Sequence, residues 1–205
     1  MKTYLSILLI MLNFSVVNAQ ISSKKFNPET NLIEWPKQFN PEKSDFYVYN
    51  EIEINTAPDV VWKLLIEASD WSKWYNNIQN IQFENPQQRN LSAQAKVFWK
   101  SMGQELNNTV TQFEPNKALA WQFDEPKIQG YHAWLIIPTE NGCKVVTVES
   151  QTGRLARLQK VFLPNKLRKQ HDEWLVKLKE QAENPTKGLS MILQIPNNHL
   201  RKTVE

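Results

Sequence analysis

The chain has 205 residues, a formal net charge of +3, five glycines and one cysteine. That length suits one folded domain, and so small a charge leaves no electrostatic footprint for nucleic acid. The lone Cys143 excludes an internal disulfide, and the scattered glycines leave no phosphate-cradling loop. No Cys/His group has zinc spacing and no G-x-S-x-G elbow occurs, so no metal ligand set, cofactor motif or nucleophile motif is readable.

Residues 1–19 read as an export signal. Lys2 supplies a positive start, Tyr4 to Val17 is an interrupted apolar run, and Val17-Asn18-Ala19 ends it with small residues at the positions a signal peptidase reads. The run is too short for a comfortable membrane span, which needs about 20 apolar residues. Cleavage before Gln20 is expected, giving a secreted or periplasmic protein. The leader carries one charge, Lys2, so the mature chain has a net charge of +2.

Residues 20–44 are polar and carry Pro28, Pro36 and Pro41. They read as an extended arm, with Leu32, Ile33 and Trp35 as docking points. A folded unit over 45–183 follows. Phe46 to Ile54 alternates like a strand. Thr56 is placed to cap a helix that starts at Pro58 and carries Val60, Val61, Leu64, Leu65 and Ala68. Ser69 or Asp70 caps a second short helix with Trp71, Trp74 and Tyr75. A strand over Ile78 to Glu84 comes next.

Strand patterns over Ala93–Ser101 and Gln104–Glu114 flank Met102-Gly103. A two-residue turn there pairs Trp99 with Leu106, Val97 with Asn108 and Ala95 with Val110. The opposite face then carries Lys100 beside Glu105, as a half-buried sheet requires. A turn at Pro115-Asn116 pairs Val110 with Trp121 and Gln112 with Leu119. Trp99, Leu106, Val110, Trp121 and Phe123 share one inner face, with Asn108 and Gln112 as polar intruders.

A hairpin at Asn141-Gly142 pairs Trp134 with Glu149 and Ile136 with Thr147, and sets His132 diagonal to Glu149. The other face carries Tyr131, Ala133, Leu135, Ile137, Val146 and Val148. Both faces are mostly apolar, so the pattern alone does not decide which points inward. Beyond Gly153, Leu155, Leu158 and Phe162 form one helical stripe. After Pro164, Leu167, His171, Trp174 and Leu178 form another, to about Ala182. Residues 184–205 read as a tail, with Met191, Leu193 and Ile195 as its apolar points.

Ile54-Asn55-Thr56-Ala57-Pro58-Asp59-Val60-Val61-Trp62, Trp71-Ser72-Lys73-Trp74-Tyr75, Tyr131 to Ile136 and Thr147 to Gly153 resemble the SRPBCC superfamily. This is the START-like, Bet v 1-like helix-grip fold, and the likeness is nearer to the polyketide-cyclase/dehydrase-and-lipid-transport group, over about 46–183. The resemblance implies an α+β fold. A curved antiparallel sheet of about seven strands would wrap a long C-terminal helix, with His132, Trp134, Thr147 and Glu149 facing a cavity.

On that basis Trp99, Trp121, Trp134 and Trp174 either fill a core or wall a ligand site, with Trp74 nearby. Asn108, His132, Glu149 and His171 would orient a polar group. His132 and Glu149 are the candidates for proton transfer, because a histidine beside a buried carboxylate is expected to keep its proton. Arg154, Arg157, Lys160, Lys166, Arg168 and Lys169 have no acid among them. They are either a solvated face or a weak contact for an anionic membrane surface.

Binding of a small hydrophobic molecule (a lipid, polyketide or aromatic compound) is the first functional expectation, with no cofactor and no nucleic acid. A cyclase- or hydrolase-type enzyme is the second. A protein-interaction module without a cavity is the third.

Overall fold

The computed structural model describes residues 31–184. The expected leader over 1–19 and the points Met191, Leu193 and Ile195 lie outside the described residues.

The arm expected to be extended contains two 3-10 turns (Lys37–Phe39 and Pro41–Lys43), and the elements after it are β1 (Phe46–Ile54), α1 (Pro58–Ile66), a 3-10 turn (Ala68–Lys73), β2 (Ile78–Phe83), β3 (Lys96–Ser101), β4 (Gln104–Glu114), β5 (Ala118–Glu125), β6 (Ile128–Thr139), β7 (Gly142–Thr152), α2 (Arg154–Phe162) and α3 (Lys166–Glu183). The strands form one seven-stranded sheet in the order β1-β7-β6-β5-β4-β3-β2, antiparallel throughout. This is the expected α+β architecture, with α3 held in the concave side.

Helix α3 buries Leu167, His171, Trp174, Leu175, Leu178 and Ala182, the stripe a helical period places on one side. Polar ties fix it in place. Asn50 of β1 donates through Nδ2 to Asp172 Oδ1 at 2.6 Å and to the Arg168 carbonyl at 3.2 Å. The Tyr75 hydroxyl donates to the Gln170 carbonyl at 3.1 Å. Helix α1 starts on Pro58, as expected, but Ala57 takes the cap position with no side-chain hydrogen bond, so Thr56 does not cap it. Likewise Glu67, not Ser69 or Asp70, precedes the 3-10 turn, and Ser69 and Asp70 lie within it.

The β3–β4 hairpin has the expected register, Trp99 opposite Leu106 and Lys100 opposite Glu105. Met102 and Gly103 both take positive φ (53° and 82°), which suits a two-residue turn between twisted strands. Two other registers depart from expectation. In β4 a bulge at Thr111 follows Val110, so Val110 still faces Trp121 but Gln112 lies opposite Ala120 rather than Leu119. One extra residue reverses the side-chain alternation, which sends Gln112 to the outer face and Phe113 inward against Trp62.

The β6–β7 turn consists of Glu140 and Asn141, with Thr139 paired to Gly142. Gly142 is spent on a close approach instead. A Cβ there would lie 2.2 Å from the Ile54 carbonyl oxygen. The slip of two positions keeps the faces but changes partners. His132 stands directly opposite Glu149, and Trp134 opposite Thr147.

The outer face of β5, β6 and β7 carries Ala118, Ala120, Tyr131, Ala133, Leu135, Val146 and Val148, and it is buried by the arm. Ile33 and Phe39 insert there, and Trp35 packs between Tyr47 and Tyr131 at centroid distances of 6.3 and 5.4 Å. The Tyr131 hydroxyl donates to the Glu34 carbonyl at 3.0 Å. Gln112 donates to the Leu32 carbonyl (2.9 Å) and accepts from the Glu34 amide (3.1 Å). Ile33 and Trp35 thus dock as expected, while the Leu32 side chain is 64% exposed. With both faces covered, both faces are apolar, which is why the pattern alone was ambiguous.

Candidate functional site

Three side chains meet under the sheet. Strand alternation points His132 of β6 and Glu149 of β7 to the concave side, and α3 supplies His171 from above. Glu149 Oε2 lies 3.3 Å from His132 Nδ1 and 3.2 Å from His171 Nε2. The other ends are also tied. His132 Nε2 is 2.7 Å from Thr147 Oγ1, and Gln151 Nε2 donates to Glu149 Oε1 at 2.6 Å. All three residues are buried. The two imidazoles stack at 4.6 Å, and Trp134 stacks on the other side of His132 at 5.3 Å.

Burial pushes the Glu149 carboxyl up. The hydrogen bond from His171, the positive ends of both imidazoles and the Gln151 amide outweigh it and hold the group below the usual carboxylate range. Glu149 is therefore an ionised carboxylate, hydrogen-bonded to His171 and Gln151 and 3.3 Å from His132 Nδ1. Burial, with the neighbouring His171 ring, pushes His132 down to about 3, against the pull of Glu149. His132 is thus neutral at pH 7, opposite to the expectation that it keeps its proton, because desolvation exceeds the attraction to the carboxylate. The two groups compete for protons and titrate as one unit.

A cavity of about 50 Å³ adjoins this cluster. Ligand pockets usually run to about 300–1,000 Å³, whereas one water needs only about 10–15 Å³ of such space. The space therefore holds a small polar group or a few waters. Aromatic rings occupy the rest of the interior. Trp71 is fully buried and packs edge-on to Trp99 (5.5 Å) and Trp174 (5.1 Å), and Trp174 stacks on Tyr75 at 4.8 Å. Four residues bordering the cavity carry a buried polar atom with no protein partner: Gln151 Oε1, Gln159 Oε1, His171 Nδ1 and Trp174 Nε1. An orphaned buried polar atom costs about 1–3 kcal/mol, so a ligand group or water there is favoured.

The profile of the family described as polyketide cyclase/dehydrase and lipid transport matches residues 46–183. The chain belongs to this family. Among solved structures it resembles the hypothetical protein jhp0584 from Helicobacter pylori, at 29% identity and TM-score 0.69, over 73% of this chain and 95% of that one. It is also similar in fold to the aromatase/cyclase Zhui from Streptomyces sp. R1128, at 13% identity and TM-score 0.54, over 67% and 93% of the two chains. A third is the di-domain ARO/CYC StfQ from the steffimycin biosynthetic pathway, at 13% identity and TM-score 0.57, over 70% and 53%. Comparison with curated proteins finds no match.

In this cyclase/dehydrase-family chain, Trp99, Trp121, His132, Glu149, His171 and Trp174 border the cavity. Three expected residues do not. Trp134 is buried one layer back, against His132 and Trp174. Asn108 is buried away from it and donates to the Leu106 and Val97 carbonyls, at 3.0 and 3.4 Å. Trp74 is half-buried beside Tyr75. Gln151, Tyr75, Gln159 and Gln170 border the cavity unanticipated. Gln151 was within reach of sequence reasoning, since it lies two residues from Glu149 on the same strand face. Gln159 was not, because the α2 stripe was assigned to Leu155, Leu158 and Phe162. The helix instead buries Ala156 and Gln159 and leaves Leu158 and Phe162 46% and 71% exposed.

Proposed function

We propose that the protein binds a compact, mostly apolar molecule whose polar head sits on the His132–Glu149–His171 cluster. The observation that carries this reading is the buried polar cluster at the base of an aromatic-walled space, with His171 Nδ1 and Trp174 Nε1 left unpartnered. Family membership supports an apolar ligand. The free volume admits only the head, so seating the apolar body requires bordering apolar side chains such as Ile78, Met102 and Leu167 to part.

The test is native mass spectrometry of the purified protein, then titration of tryptophan fluorescence with small aromatic ketones and phenols. Glu149→Gln is expected to weaken binding about tenfold or more, the loss from one charged hydrogen bond of about 1.5–3 kcal/mol. If no compound binds and none co-purifies, the reading fails.

Proton transfer is a second reading that rests on geometry: the His132 imidazole lies 3.3 Å from a carboxylate that can orient it, and a bound ligand would have to raise His132 from about 3 for it to act as a base near neutral pH. Turnover that disappears in Glu149→Gln while affinity persists favours an enzyme. Lost affinity without any turnover favours a binding protein.

The ligand reading extends to a source. Helix α2 exposes Val161 (70%) and Phe162 (71%), with Leu158 and Leu163 about half exposed. Arg154, Lys160, Lys166, Arg168 and Lys169 flank them in sequence, and Gln159 and Leu167 on the buried side border the cavity. We infer that this face meets an anionic membrane surface, where each nearby Lys or Arg contributes about 1 kcal/mol. Co-sedimentation with phosphatidylserine-containing vesicles is expected, and is expected to vanish for a Val161→Asp/Phe162→Asp double variant. Equal association with purely neutral vesicles, or no effect of the double variant, would rule this contact out.

A further inference from the structure

We propose that His132 Nδ1, Glu149 Oε2 and His171 Nε2 form a binding site for a divalent transition-metal ion of the zinc class. The ion would keep one coordination position open toward the cavity.

The argument begins with charge. Glu149 is a buried carboxylate, and no lysine or arginine borders the cavity beside it. A buried charge needs a compensating partner. A divalent cation supplies one, and takes as ligands the atom types present here.

The spacing agrees. Bonds of about 2.0–2.2 Å to nitrogen and carboxylate oxygen put neighbouring ligand atoms of a tetrahedral site about 3.3–3.6 Å apart. The two edges that share Glu149 Oε2 measure 3.3 and 3.2 Å. All three ligand atoms lie within 4.8 Å of one another; the two imidazoles, stacked at 4.6 Å with planes 16° apart, would splay on loading so that their in-plane lone pairs converge on the ion.

The surroundings agree as well. Metal-bound histidine and carboxylate commonly have their other polar atom held by a hydrogen bond, which fixes orientation. With Nδ1 on the ion, His132 Nε2–H would donate to Thr147 Oγ1, now 2.7 Å away. Glu149 Oε1 already accepts from Gln151 Nε2, which leaves Oε2 as a single-atom ligand. Two histidines and a carboxylate plus one open position is the composition of a reactive zinc site rather than a closed structural one. The adjoining space has room for the water that would complete it.

This site does not depend on the organic ligand proposed above. The probe is Co2+ alone, added to chelator-treated full-length protein and followed by its visible ligand-field absorption, with Zn2+ as competitor. One equivalent of Co2+ is expected to give a tetrahedral spectrum that Zn2+ abolishes. Glu149→Gln and His171→Ala are each expected to weaken binding at least 100-fold, and Thr147→Val, which keeps all three ligands, about tenfold. Circular dichroism of each variant checks that it folds. A wild-type protein that gives no tetrahedral spectrum overturns the proposal by itself. So does a spectrum that survives in folded Glu149→Gln or His171→Ala.

Discussion

Trp121→Ala is expected to destabilise the protein by about 3–5 kcal/mol, the range for removing a buried aromatic ring. Trp121 is 1% exposed, in the middle of β5 between Val110 and His132. Its ring packs on His132 at 4.8 Å, Trp99 at 5.4 Å and Trp71 at 5.9 Å. Those neighbours belong to strands and to a turn tied down by the Trp71 Nε1–Leu64 carbonyl bond, so they cannot collapse into the gap. In a domain of this size each kcal/mol lowers Tm by about 2–4 °C, so a fall of about 10 °C is expected in a thermal melt.

The same change enlarges the small cavity by a ring. The added space is walled by Trp71 and Trp99 on one side and by the polar cluster on the other, so Trp121→Ala should bind an aromatic ring with one polar edge, such as indole or phenol, more tightly than the wild-type protein does. Trp74→Ala is the control. Its ring is half-buried and away from the cavity, and a loss within about 1 kcal/mol is expected. A Trp121 variant as stable as the wild type, or one that gains no affinity, would show that the interior repacks and that the rings do not set its volume.

Acid is expected to weaken the fold well above the usual carboxylate range. His132 is held down to about 3 by burial and the neighbouring His171 ring, whereas in the unfolded chain it titrates near 6.5. Below pH 6.5 the unfolded state therefore takes up a proton that the native state refuses. Stability is full above that pH and falls as the pH drops toward about 3, by up to about 1.4 kcal/mol per pH unit. Glu149 has the same sign at lower pH, because its folded carboxyl lies below its unfolded value: its contribution is present above the ordinary carboxylate range and is lost as the pH falls. The two groups trade protons, so the slope belongs to the unit. Urea midpoints at pH 7.5, 6.5, 5.5 and 4.5, with chelator present so that only protons compete, measure it. His132→Gln should flatten the limb between pH 6.5 and 5. A wild-type protein equally stable at pH 7.5 and 5 would mean that His132 is not held neutral.

The gripped-helix fold was legible because its signals are local. Alternation in β3 and β4 with Met102-Gly103 between them gave a hairpin register that the fold keeps. The stripe of Leu167, His171, Trp174 and Leu178 gave α3. The misreadings come from single residues answering to distant chain. Gly142 looked like a turn glycine but is reserved for the end of β1, so the β6–β7 register shifted by two. Gln112 looked like an inward intruder until a bulge turned it over. The stripe assigned to α2 assumed that apolar means buried, yet Phe162 faces solvent.

The site divides in the same way. Strand alternation puts His132 and Glu149 on one face, diagonal rather than opposite in the expected register; the family resemblance turns that face inward, and the stripe of α3 supplies His171. That Glu149 Oε2 would sit between the two imidazoles needed the packing of α3 across the sheet, which no spacing encodes. The narrowness of the cavity was also out of reach. Counting tryptophans cannot tell lining from filling, and here most of their volume is spent on one another.

The bulge at Thr111 has a reach beyond β4. Upstream of it the strand obeys the interior, placing Asn108 and Val110 inward; downstream, the same alternation presents an amide to the back of the sheet, where Gln112 meets the backbone of residues 32 and 34 like one rung of an eighth strand. A single inserted residue thus separates two tasks along one strand. The anchor of the arm and the ring-packed interior therefore draw on different side chains of one strand.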